Sequence, residues 1–250
     1  MGLLLSVYSK QLMYRLKKKN TLLGIILFML ISPNIFSQGK YFGDDKFIHF
    51  GFSLGTNLMD FGITPSLQDI EGVVYQADVS KLLPGFSVGI IGDMKLNRYL
   101  NLRFTPTLHF GDRQLSYSAV NNSGFRDSLV VSSAPICLPL YIKYSSERYG
   151  NLRPYLIGGG GIYFDFGTDK DKPVYLKPFD VFAEFGVGCD IYFSFFKLAP
   201  ELKFSIGGNN LFIPLDERTN EGTLKDDDRK FSLALSKLTA RMLTLTFNIE

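Results

Sequence analysis

"RPYLIGGGGIYFDFG", Arg153 to Gly167, sets four consecutive glycines between apolar and aromatic residues. A phosphate-gripping loop needs glycines at fixed spacing, then a Lys and a hydroxyl residue opening a helix, so that backbone N–H groups wrap the anion. Ile162, Tyr163 and Phe164 follow instead, and those residue types favour strand. Read with period two, Leu156, Gly158, Gly160, Ile162, Phe164 and Phe166 share one face, and Tyr155, Ile157, Gly159, Gly161, Tyr163 and Asp165 the other. Glycine inside a strand marks close backbone approach or a strongly curved wall.

The same alternation recurs along the chain from Phe47 onward. Ile48, Phe50, Phe52 and Leu54 oppose His49, Gly51, Ser53 and Gly55; Phe86, Val88, Ile90 and Met94 oppose Ser87, Gly89, Asp93 and Lys95. Leu100, Leu102, Phe104 and Leu108 oppose Asn101, Arg103, Thr105 and His109, and Ile136, Leu138, Leu140 and Ile142 oppose Cys137, Tyr141 and Lys143. After the glycine stretch, Val181, Ala183, Phe185, Val187 and Cys189 oppose Asp180, Glu184, Gly186 and Asp190, and Leu198, Leu202, Phe204 and Ile206 oppose Lys197, Glu201, Lys203 and Ser205. The last segment sets Leu243, Leu245, Phe247 and Ile249 against Arg241, Thr244, Thr246 and Asn248. Each is long enough to cross a bilayer as a tilted strand.

Short connections at 97–99, 145–152 and 193–195 alternate with long polar ones near 59–84, 111–128, 168–177 and 210–239. That is the layout of an all-β, eight-stranded antiparallel transmembrane outer-membrane β-barrel, with short periplasmic turns and longer external loops. A soluble sandwich or lipocalin-like barrel would point its apolar faces inward. Pro106, Pro135, Pro139 and Pro200 each remove a ladder donor, so bulges or rim positions are expected there.

The N-terminal region supports export. Arg15, Lys17, Lys18 and Lys19 precede an apolar run over Leu22 to Ile31 and small polar residues near Ser37, the three-part pattern of a signal peptide. The expectation is a signal over 1–37, with Met13 as a candidate true start, and a barrel domain over 38–250. Removing 1–37 leaves 22 basic against 24 acidic residues, so the basic balance belongs to the signal and no nucleic-acid partner is implied. Cys137 falls in the inward phase and Cys189 in the outward phase, so no disulfide is expected.

Charges of both signs on the polar faces are expected to form an internal network of His49, Asp93, Lys95, Arg103, Lys143, Glu184, Glu201, Lys203 and Arg241. A hydrolytic reading would need a Ser, a His and a carboxylate within reach at an accessible rim. His49, Ser53 and His109 share inward faces, but their spacing does not demand that chemistry, and no enzyme activity is expected. "LKDDDRK", around Asp226 to Asp228, lacks the glycine and terminal Glu of a calcium loop, so neither metal nor cofactor is expected.

"KFIHFGFSLGTNLMDF" (46–61), "PLYIKY" (139–144), "RPYLIGGGG" (153–161) and "LAPELKFSIG" (198–207) together resemble the PorT family of Bacteroidota outer-membrane proteins, over about Phe42 to Glu250. The resemblance implies a multi-pass barrel in the cell outer membrane, monomeric and in contact with its lipid. It also implies a non-enzymatic accessory of type IX protein secretion and gliding motility, with other type IX components as partners. A stand-alone barrel of structural, ligand-binding or adhesin type is the alternative. The sequence ends on Glu250 where many such barrels end on an aromatic, so Phe247 and Ile249 are expected to stand in for it.

Overall fold

A computed structural model describes residues 47–66, 69–70, 73–119, 122–166, 174–217 and 231–250. The signal segment and Asp226–Asp228 lie outside the described residues. The strands are β1 (Ile48–Pro65), β2 (Asp69–Ile70), β3 (Val73–Leu82), β4 (Pro84–Lys95), β5 (Leu100–Phe104), β6 (Thr107–Ala119), β7 (Asn122–Ser133), β8 (Pro135–Ser145), β9 (Leu152–Asp165), β10 (Phe179–Tyr192), β11 (Lys197–Gly207) and β12 (Leu235–Ile249).

All pairings are antiparallel, and eight staves close into a ring. β5 and β6 are one stave: Phe104 pairs with Gly92 of β4 and Thr107 with Gly89, one register carried through a gap at Thr105–Pro106. Partners followed round the wall from Ile48 run through Met94, Leu102, Ile142, Gly158, Phe185, Phe204 and Leu243. Leu243 then pairs with Leu58, so the ring closes on β1 with a stagger of ten residues. Such stagger is what tilts the strands of a closed barrel. Closure leaves no open edge inside hydrocarbon, where an unpaired backbone group would cost several kcal/mol.

The outward faces are apolar and open. Phe50 is 75% exposed, Phe185 58% and Ile142 57%, while their neighbours Asp93, Arg103 and Lys143 are 1% exposed. That inversion of the soluble pattern is the lipid-facing wall of an outer-membrane barrel.

Two expectations about loops are corrected. Residues 59–84 and 111–128 are mainly strand: β1 and β6 run past the apolar belt, β3 and β7 flank the far half of β6, and β2 pairs with β3. Beyond the belt most inward residues become apolar, as Phe61, Leu115 and Tyr117 are, and outward Thr64, Asp112 and Ser118 are polar, so these stretches read as loop only to a search for outward apolar residues. Phe61, Ala77, Leu115, Tyr117 and Val131 of this raised sheet pack with Val174, Leu176, Leu211, Phe212, Phe231, Leu235 and Leu238. The described parts of the long connections, 174–177, 210–217 and 231–239, therefore pack over the raised sheet as a lid. Leu211 donates its backbone N–H to Leu238 O at 2.8 Å and Lys177 to Leu211 O at 2.7 Å, while Asn210 Oδ1 accepts from both Phe212 and Leu238.

Two of the four prolines, Pro139 and Pro200, also depart from expectation, while Pro106 and Pro135 fall at a strand break and a strand start. Pro106 sits in the β5–β6 gap, but Pro139 and Pro200 lie within β8 and β11, and the recorded register shifts fall at Thr64/Pro65, Val79/Lys81 and Ser118/Ala119. A strand surrounded by other bonded residues tolerates one missing donor without changing register.

Candidate functional site

The lumen is filled by charge. Arg103, fully inside on β5, bonds Asp93 of β4 at 2.7 Å, Glu201 of β11 at 3.3 Å and Glu250, which follows β12, at 2.7 Å. Lys203 meets Glu184 at 3.2 Å and Glu201 at 3.4 Å; Lys197 meets Glu250 at 2.7 Å and Lys143 meets Asp190 at 2.7 Å. Four cations thus face five carboxylates. Near balance is required, because an unpaired ion in such a site carries a desolvation penalty of several kcal/mol.

Tyrosines tie this network across the wall, and here the glycines find their use. Gly159 of β9 is the partner of both Tyr141 of β8 and Glu184 of β10. With no side chain between them, Tyr141 donates to Glu184 at 2.9 Å. The arrangement repeats one strand on: Gly188 of β10 pairs with Tyr155 and with Glu201, the Tyr155 ring lies over Gly188, and its hydroxyl donates to Glu201 at 2.7 Å. Gly159 and Gly161 themselves approach the Leu140 and Leu138 carbonyls too closely to carry a Cβ. One glycine of the run, Gly159, thus lets Tyr141 reach Glu184, and Gly188 of β10 does the same for Tyr155 and Glu201.

Six of the sequence candidates, Asp93, Arg103, Lys143, Glu184, Glu201 and Lys203, meet in this network. His49 and Lys95 lie half-buried at the periplasmic ends of β1 and β4. Arg241 is a correction: it is exposed and faces outward, in phase with Leu243 and Leu245 rather than with Thr244 and Thr246. Alternation by two puts positions 241 and 243 on the same side, whatever their polarity.

Asp190 and Lys197 were visible on inward faces, whereas Tyr141, Tyr155 and Glu250 carried no polar-pattern signal. Further out, Arg113 bonds Ser133 at 2.8 Å and Tyr163 at 3.0 Å and stacks on Phe61 at 4.5 Å, inside what read as an external loop.

His109 does not meet His49. It bonds Ser87 at 2.7 Å, its partner on β4, and Asn57 donates to Ser87 at 2.9 Å. All three are buried, and Asn57 also donates to the Phe86 carbonyl at 2.8 Å, so the three side chains form one buried polar chain across β1, β4 and β6. No cluster of three metal-binding side chains occurs among the described residues. Cys137 is buried inside and Cys189 partly open outside, both unpaired.

The outer membrane protein beta-barrel domain family matches residues 36–212. Among solved structures, the outer membrane protein OprG from Pseudomonas aeruginosa aligns at 10% identity and a TM-score of 0.43, covering 81% of this chain and 91% of that one. The outer membrane protein AlkL in DMPC lipid bilayers aligns at 14% identity and a TM-score of 0.35, covering 80% and 90%. No curated protein matches.

Proposed function

Since the chain belongs to the outer membrane protein beta-barrel domain family, we propose that it serves protein export across the outer membrane as a sealed, non-enzymatic accessory rather than as a conduit. The observation that carries this reading is the lumen: Arg103, Lys143, Lys203 and their carboxylates occupy the bore, with the apolar lid beyond them. Eight strands leave an interior only wide enough for side chains. A folded or extended cargo chain has no room there.

The resemblance to the PorT family supplies the specific system, type IX secretion with its gliding-motility link. Other type IX components would then be the partners, met at the short periplasmic turns or at the raised external sheet. Deleting the gene is expected to leave cargo precursors in the periplasm, while the purified barrel in a planar bilayer shows no large, stable conductance. Currents of protein-channel size would overturn the accessory reading. Normal export in the deletion strain would favour the second reading, a stand-alone surface barrel of structural or ligand-binding type, which draws support from the raised external sheet.

A further inference from the structure

The outward arginine that the sequence had placed inside stands at an informative level. Arg241 pairs in register with Asp60, and the next outward residues toward the periplasm, Leu243 on β12 and Leu58 on β1, belong to the apolar belt. Its guanidinium does not stay beside Asp60. A Cβ built on Gly62 would come within 2.8 Å of Arg241 Nη2 and 2.9 Å of Nε, so the side chain lies across Gly62, whose partner is Thr239. Two residues along a strand is roughly 7 Å, and the displacement is away from the hydrocarbon.

Lys237 stands one outward position beyond Thr239, exposed and paired with exposed Thr64. Inside the barrel, Arg103, Lys143, Lys197 and Lys203 each hold a carboxylate. Arg241 and Lys237, by contrast, make no ion pair or side-chain hydrogen bond among the described residues. Asp60, the acid closest in register, turns one oxygen back onto the Phe61 N–H at 2.7 Å.

The geometry points to a phosphate site for an outer-leaflet glycolipid headgroup, built by Arg241 and Lys237, with Arg241 seated over Gly62, which has no side chain to displace it. A guanidinium offers a planar fork that fits two phosphate oxygens, and a lysine adds a point charge. Long cationic side chains that rise from the edge of the apolar belt place their heads in the interface. Leu243, Leu245 and Ile206 below are exposed and would face the same lipid's acyl chains. The source is the membrane and not a soluble phosphate, because the cations sit directly over this apolar surface. The site stands independently of any role in secretion.

The test is native mass spectrometry of the full barrel released from bilayers containing bis-phosphorylated lipid A or its dephosphorylated form, with heat-dependent gel migration checking the fold. The unaltered protein is expected to retain the phosphorylated lipid preferentially. Arg241→Gln with Lys237→Gln should lower that retention about tenfold, and Gly62→Val, which keeps both charges but displaces the Arg241 side chain, should lower it too. Arg241→Lys gives a second reading if the double variant does not fold, with partial loss expected. Equal retention of the dephosphorylated lipid, or unchanged retention in the folded variants, would overturn the site. Displacement of the lipid by millimolar inorganic pyrophosphate would overturn the membrane source.

Discussion

Met59 of β1 and Met242 of β12 are register partners, both point inward, and both mark the level at which the apolar phase of their strands changes face. Below this pair the apolar residues point out, as Leu58 and Leu243 do; above it they point in, as Phe61, Leu238 and Ala240 do. A strand crossing from lipid to water must make this exchange if the part in water is to cover a core. The two consecutive apolar residues at each switch, Leu58–Met59 and Met242–Leu243, are its mark in the sequence.

The wall below the switch should reject charge. Leu102→Arg, outward and within the membrane, is expected to cost about 2–4 kcal/mol of insertion, whereas inward Thr105→Ser changes little. Folding into lipid vesicles, followed by heat-dependent gel migration, compares them; equal folding would reverse the assigned faces.

The part above the switch should fail separately. Phe61→Ala removes a buried ring from the lid's core and from beneath Arg113, at a cost of about 3–5 kcal/mol to that packing. Added protease is expected to cut the external segments of this variant while the membrane-spanning part keeps its folded migration.

Period-two reading located all eight staves within the belt, because there each strand has one lipid face and one lumen face. It failed above the belt for a physical reason: at Met59 and Met242 the solvent changes from lipid to water, so apolar no longer means outward. Arg241 was misassigned at that boundary, its charge taken as a guide to the lumen although its spacing from Leu243 fixed it outside. Charged inward residues at alternate positions announced the network, whereas the tyrosine bridges depend on which residues stand opposite Gly159 and Gly188, and pairing across strands is not written locally.

The glycine run should be unequal in tolerance. A Cβ at Gly158 meets nothing within 4 Å, whereas one at Gly159 runs into the Leu140 carbonyl and the Tyr141 Cα at 2.8 Å. Gly158→Ala is expected to be neutral and Gly159→Ala to destabilise by at least about 1–3 kcal/mol, read as urea midpoints of the folded barrel in vesicles.

Cys137 and Cys189 should behave as two separate thiols. Reducing and non-reducing gels are expected to show one mobility, and a water-soluble maleimide should label Cys137, 3% exposed within the lumen, only after unfolding. A crosslinked peptide containing both would contradict the faces of β8 and β10.

The network should show its coupling through rescue. Arg103→Met leaves Asp93, Glu201 and Glu250 buried without their shared cation, and breaking a buried pair in this way costs about 3–5 kcal/mol. Glu250→Gln removes one of those three charges while keeping a group that can bond Lys197, so adding it to Arg103→Met should recover part of the loss. Glu250→Gln alone should destabilise, because Arg103 and Lys197 then lose the carboxylate they share. Urea unfolding of the single and double variants in vesicles measures this cycle, and strictly additive losses would mean that Arg103 and Glu250, adjacent across the lumen, act as independent sites.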